Sequence, residues 1–370
     1  MKLFHLSDLH IGKIVNGHEM WQDQKFVFEQ ILSYIKSEKP DVVMIAGGIY
    51  DKVMPSAKAV AFFDEILSGI SDTGVAVMII AGNHDSGERL DFASGILQKE
   101  NVYIKGTYGG DALKVTKQDE YGDVNFYLMP FVRPIDMESG EIKNYTDAMT
   151  EAVSRMNIDK ESRNVLIAHQ NVTKGGVNKK SESETVTIGA LDNIESQAFE
   201  DFDYTALGHL HSPQNIGSEK IRYSGTPVIY SMSEKDDEKS ITVIDMKEKG
   251  NTDISFLPLK QLHKWYDFTG TLEEALGREY NEDYARIILT DREVIMDAFQ
   301  RLKIVYGNLM TMDYKYKENH GGTSERTVED IENISPEEAV AGFYKLKRGT
   351  DLSVENEDYI AEIFREYTSH

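Results

Sequence analysis

Five short apolar runs each stop at a histidine, an aspartate, an asparagine or a glycine pair, and that repetition constrains the fold more than any other feature of the 370 residues. Residues 2–6 precede SDLH and 42–46 precede GGIYD, while 75–81 precede GNHD. Further on, 165–168 precede His169 and 204–207 precede GHLH. Runs without polar interruption are what strands covered on both faces look like. Stretches with helical periodicity, 24–37 and 57–68, lie between several of them. The chain therefore reads as α/β. In such sheets functional groups collect just past the carboxyl ends of the strands, and five ends with ligand-type side chains predict one active site.

Taken singly the motifs are modest. Asp8-x-His10 offers two ligand-type groups on one loop, and Gly82-Asn83-His84-Asp85 presents an amide beside an imidazole. Asp85 either orients His84 or caps the helix that follows. In Gly208-His209-Leu210-His211 an extended i, i+2 pair is expected to point both imidazoles the same way. His169 alone would be a core histidine. Together they say more, because five of the ten histidines (10, 84, 169, 209, 211) directly follow buried runs. A shared metal site explains that better than coincidence. The chain has no cysteine, which excludes disulfides and thiolate sites and leaves His, Asp, Glu and Asn as ligands.

Hydrophobic residues at 40% and charged residues at 28% describe a globular protein. The apolar run 75–81 is far short of the ~18 residues of a membrane span. The front turns polar by Ser7, so a signal-peptide core is not expected, and a reducing cytoplasm is. A net charge of −23 argues against DNA binding by the whole surface, since phosphate binding needs cations. Residues 328–370 alone hold 11 acidic against 4 basic residues.

Beyond residue 260 the pattern changes. Residues 285–289, 294–306 and 309–316 read as strand, helix and strand, with Gly307 ending the helix. A polar linker, 318–334, follows. Ser335-Pro336-Glu337-Glu338 is a capping box with proline at the first helical position, and Gly349 closes that helix. Ser353 can cap a second helix, whose Ile360, Ile363, Phe364 and Tyr367 form one apolar stripe. The stripe packs on the parent domain or fills a partner's groove.

The series DLH, GG, GNHD, a lone histidine and GHLH resembles that of the calcineurin-like metallophosphoesterases, with GG where GD is usual. The flanking HLSDLHIGK, IAGNHDS, YLMPFVRP, IAHQNVTKGG, FDYTALGHLHSPQ and RYSGTPVIYSMSE are similar to the bacterial DNA-nuclease subunits of that family. The resemblance implies a two-sheet core flanked by helices (1–260), a small βαβ capping domain over the site (261–317), and a helical pair (335–370) that binds an SMC-like ATPase. It also implies a homodimer acting on DNA ends in repair, recombination and replication. The activities implied are 3′–5′ double-strand exonuclease and single-strand endonuclease, with two manganese ions. Two such ions clamp a phosphodiester and activate water for in-line attack. Carried over, Asp8, His10 and His211 hold one ion and Asn83, His169 and His209 the other. His84 steadies the scissile phosphate and protonates the leaving oxygen.

Gly48 is the departure, because the family places there an aspartate that bridges both ions. Two divalent ions ~3.5 Å apart repel by about 19 kcal/mol at an effective dielectric of ~20, and Asp8 is the one anion left among the ligands. Asp51, three residues on, is a poor substitute. The run VVMIAGG places Gly48 at a strand end, in backbone open to any residue. Three readings follow: a metal-dependent nuclease impaired by Gly48, a non-catalytic scaffold binding DNA ends and the ATPase, or a small-nucleotide phosphodiesterase. The last has no use for the capping and tail segments.

Overall fold

The computed structural model describes residues 1–137, 142, 144–184 and 192–315, with a few isolated positions between 340 and 360. The chain divides into two compact units, Met1–Thr185 with Asp192–Tyr316, and Val186–Leu191 with Lys317–His370. Nearly all described residues belong to the first.

Two six-stranded sheets form its core. In the first, Lys2–Leu6, Val42–Ala46, Ala76–Ile80 and Val102–Lys105 run parallel, and Ser240–Met246 and Thr252–Pro258 close one edge antiparallel. In the second, Ser218–Tyr223, Tyr204–Gly208, Arg163–His169 and Gly122–Met129 run parallel, with an antiparallel strand at each edge. Alternation along each strand divides its side chains between two layers. Leu3, Met44 and Met78 face Phe126, Ile167 and Ala206 between the sheets. Their neighbours Phe4, Val43 and Val77 pack outward on the helices Trp21–Glu38 and Ala57–Ser71. Tyr127, Leu166 and Leu207 do the same on the far side against Tyr145–Arg155. Both faces of both sheets are thus apolar, which is why the runs read as unbroken.

His5 is a buried polar group between the sheets. Its Nδ1 lies 2.9 Å from the Tyr204 hydroxyl and its Nε2 3.1 Å from the Leu207 carbonyl oxygen, so one buried ring joins the two sheets.

A third sheet of three parallel strands, Trp265–Gly270, Asn281–Leu289 and Tyr306–Tyr314, follows with its own core around Leu272, Ile287 and Leu302. Two of the sequence expectations fail here. The helix expected over 294–306 is the short Ala298–Leu302, and Gly307 lies inside a strand instead of ending a helix. Asp297 in the left-handed region (φ 61°) delays the start, and the β-forming Val305 and Tyr306 already fill the sheet core. This sheet is tied to Trp21–Glu38 through buried Asp23, which accepts hydrogen bonds from Tyr284 Oη at 2.8 Å and His263 Nδ1 at 3.0 Å.

The linker 318–334 and the helices expected after Ser335 and Ser353 lie almost wholly outside the described residues. Among the described residues no helix is long and apolar enough to cross a membrane.

Candidate metal centre

Loops from both sheets meet where the parallel strands end. After Leu6 the chain turns through two left-handed residues, Asp8 (φ 53°) and His10 (φ 44°), and runs alongside the loop after Ala46. Asp8 N–H bonds the Gly47 carbonyl at 2.9 Å, and His10 N–H bonds that of Gly48 at 2.9 Å. Asp85 fixes the neighbouring loop. Its carboxylate accepts the N–H groups of Ile49 (3.1 Å), Tyr50 (2.9 Å) and Gly82 (2.8 Å), and the N-cap of the helix that follows is Ser86. Burial pushes its pKa up and those three N–H groups oppose the shift.

Asp8, His10 and His211 form one buried group, with a ligand atom of each within 4.8 Å of the others. His10 Nε2 and His211 Nε2 face one another at 3.1 Å, and Asp8 Oδ1 is 3.9 Å from His10 Nε2. Asn83, His169 and His209 form a second, looser set. Asn83 Oδ1 is 3.0 Å from His169 Nε2, and the His169 and His209 rings stand nearly perpendicular with centroids 5.5 Å apart. His169 Nδ1 lies 2.8 Å from the Ala46 carbonyl oxygen, to which it can only donate, so Nε2 carries the lone pair. Asp8 stands between the two sets. Its Oδ1 is also 3.9 Å from His169 Nε2, and its Oδ2 accepts His209 N–H at 3.0 Å. The half-buried His84 lies at the edge, its ring centroid 5.6 Å from that of His10.

The GHLH pair does not work as an extended dipeptide. His209 has φ 112°, and the turn sends His209 toward His169 and His211 toward His10. One motif therefore supplies each set with one imidazole.

Burial, followed by the neighbouring imidazoles, lowers the pKa of His10 and His209 well below the ordinary range, and that of His84 is lowered for the same reason. The fully buried His10 and His209 rings are neutral at neutral pH. His10 Nε2 and His211 Nε2, 3.1 Å apart beside the Asp8 carboxylate, make a ready cation site. Imidazole, carboxylate and amide donors without sulfur suit a borderline or hard divalent ion.

Gly48 corrects the sequence reading. Its φ is +66°, not that of a strand end, and Gly47 before it is also left-handed at +79°. A Cβ at 48 would lie 2.7 Å from Asp8 Oδ1 and 2.8 Å from Asp8 Cα. Two successive left-handed residues drive the loop under Asp8, whose carboxylate occupies the space a side chain at 48 would need. Asp51 offers no substitute: its Oδ1 accepts from Lys13 Nζ at 2.8 Å and is 3.8 Å from His10 Nδ1, the nitrogen turned away from the cluster.

The sequence reading missed the groups behind His211. Glu184 accepts His211 N–H at 2.6 Å, and burial pushes the pKa of this carboxyl up to about 7. Ser183, Glu234 and Lys239 are also there. All four sit in polar stretches, SESE and SEKDDEK, which carry no periodic signal. A cleft of about 560 Å³ opens beside Asn83, with Phe131 and Arg133 among its lining residues.

Residues 1–213 match the calcineurin-like phosphoesterase family, and residues 256–348 match a family described as the type 5 capsule protein repressor C-terminal domain. The chain is 29% identical over 378 residues to the SbcD component of the SbcCD nuclease of Staphylococcus epidermidis, covering 98% of each protein. It is 29% identical over 374 residues to the protein of the same name from Staphylococcus saprophyticus, covering 98% of this chain and 97% of the relative.

Proposed function

The chain belongs to the calcineurin-like phosphoesterase family, and from that premise we propose that it is the nuclease subunit of an SbcCD-type complex, a metal-dependent hydrolase of DNA phosphodiester bonds that works with an SbcC-type ATPase. The observation that carries this reading is the pair of ligand sets facing each other across Asp8. Asp8, His10 and His211 would hold one divalent ion, and Asn83, His169 and His209 a second, with manganese the ion we favour. Such ions supply positive charge against the phosphate and lower the pKa of water. The protein does the rest. Nε2 of His10 and Nε2 of His211 meet in one set and Nε2 of His169 meets Asn83 Oδ1 in the other, Asp8 lends a single negative charge to both sets, and His84 at the rim is placed to donate a ring N–H to the leaving oxygen. The three-stranded sheet of residues 265–314 serves as the cap.

Gly48 sets how well this copy cuts. Without a bridging carboxylate we expect tight binding at one position, weak binding at the other, and slow cleavage. The test compares the parent protein with Gly48→Asp by manganese titration and by cleavage of end-labelled duplex DNA. Asp tolerates the left-handed region better than most residues, and the Asp8 backbone must move to admit it, since Asp8 Cα lies 2.8 Å from the added Cβ. A changed metal ligand environment is worth at least about 10–100-fold, so the variant is expected to bind a second ion and cut faster by that order. Gly48→Ala, which adds the crowding without the carboxylate, should gain neither. Two ions already bound in the parent, with equal cleavage rates, would overturn the account of Gly48. No cleavage by either protein, with metal bound, would favour the scaffold reading, for which the closed contact at Gly48 speaks.

A further inference from the structure

Apart from Nε2, which faces His10 Nε2 at 3.1 Å, every polar atom of His211 is held by a group behind it. Its N–H goes to Glu184 Oε1, and its carbonyl oxygen accepts from Lys239 Nζ at 3.0 Å and from Thr226 N–H at 3.0 Å. Nδ1 lies 2.5 Å from Ser183 Oγ, and Ser183 Oγ in turn lies 2.5 Å from Glu234 Oε1. A hydroxyl has one proton to give. The Glu234 side chain is wholly buried, and its other oxygen, Oε2, accepts from the equally buried Lys239 ammonium at 2.7 Å and from Thr226 Oγ1 at 3.0 Å. The buried Lys239 ammonium on Oε2 keeps Glu234 a carboxylate. The carboxylate can only accept, so Ser183 donates to it and must accept from His211 Nδ1–H.

We propose that Ser183 and Glu234 are positioning residues that lock His211 in the Nδ1–H form, so that its Nε2 lone pair is aimed at the space it shares with Asp8 and His10. Neither residue touches the metal or the substrate; both act through His211. A buried ion pair such as Glu234–Lys239 gains little stability over an apolar pair of the same size, which fits its use for orientation. The inference rests on the reading of His211 as a ligand.

The experiment uses full-length protein, with manganese as the probe. Nitrogen-15 NMR of histidine-labelled, metal-free protein reads the tautomer of His211, assigned by its loss in His211→Ala, and titration reads the affinity. In the parent we expect the Nδ1–H form. Ser183→Ala should abolish that preference and lower manganese affinity about 10–100-fold, and Ser183→Thr, which keeps the hydroxyl, should restore both. Glu234→Gln should act like Ser183→Ala; because it strands Lys239 and could unfold the protein, Ser183→Ala with an unchanged melting curve is the deciding variant. If Ser183→Ala leaves tautomer and affinity as they were while His211→Ala abolishes binding, the relay is overturned. If His211→Ala itself leaves binding unchanged, the ligand assignment fails and the relay with it.

Discussion

Asp8 carries more of this site than a three-residue motif announces. One of its oxygens lies equally far from His10 Nε2 and His169 Nε2, and the other holds the backbone of His209. That arrangement exists because residue 48 has no side chain. His84 differs from the other four histidines in being half-buried at the rim, and a group there can act on substrate without holding the ion. In a Gly48→Asp background, where activity is measurable, His84→Ala should keep manganese affinity near its starting value while cleavage falls about 10²–10⁴-fold, the usual weight of proton transfer. Loss of metal in that double variant, read by titration, would make His84 a ligand. The identity of these residues was legible in the sequence because each follows an apolar run. Their geometry was not. Left-handed conformations at Asp8, His10, Gly48 and His209 go with bonds between distant loops, Asp8 and His10 N–H to the Gly47 and Gly48 carbonyls and His209 N–H to the Asp8 carboxylate, which no local pattern encodes.

At the level of elements, the strands were legible and the connections less so. Lys2–Leu6 and Val42–Ala46 end where the apolar runs end, since both faces of each strand are covered and composition alone marks them. The single helical turn Ala298–Leu302 was overread because the periodicity of 294–306 continues into residues that the sheet claims. His5 was passed over inside such a run, and it makes a prediction about the pair of sheets it joins. Burial, then the charge of Arg222, lowers its pKa from 6.5 to about 3. Between those values the unfolded chain binds a proton that the native protein refuses, so stability rises with pH through this window and is lost as pH falls below about 6.5. One proton corresponds to about 1.4 kcal/mol per pH unit. His10 and His209, lowered in the same direction, add to the slope. In metal-free protein unfolded by urea at several pH values, His5→Gln should flatten the slope between pH ~6 and ~4 by up to that amount. Parallel slopes for the two proteins would show that His5 takes up its proton without loss of the fold.

For the molecule as a whole, four apolar clusters, two of them against the outer faces of the sheets, one between the sheets and one in the three-stranded unit, lie within residues 1–314 among the described residues. Every described member of these clusters lies before residue 315. What the segment 328–370 carries is written in its sequence: a capping box at Ser335, a proline at the next position, and an apolar stripe from Ile360 to Tyr367 on an otherwise acidic background. A stripe of that kind must be buried somewhere, and a partner helix groove is a natural place for it. We therefore expect a protein ending at residue 327 to melt within a few degrees of the full chain, to bind manganese with the same affinity, and to lose co-elution with an SbcC-type ATPase. The three measurements separate the alternatives. A large fall in melting temperature would mean that the stripe packs on the parent unit, and an intact complex at full yield would place the ATPase contact elsewhere on residues 1–327. Loss of the complex with stability and metal affinity preserved is the outcome that assigns partner binding to the tail, and it would also show that the acidic segment is dispensable for the metal site.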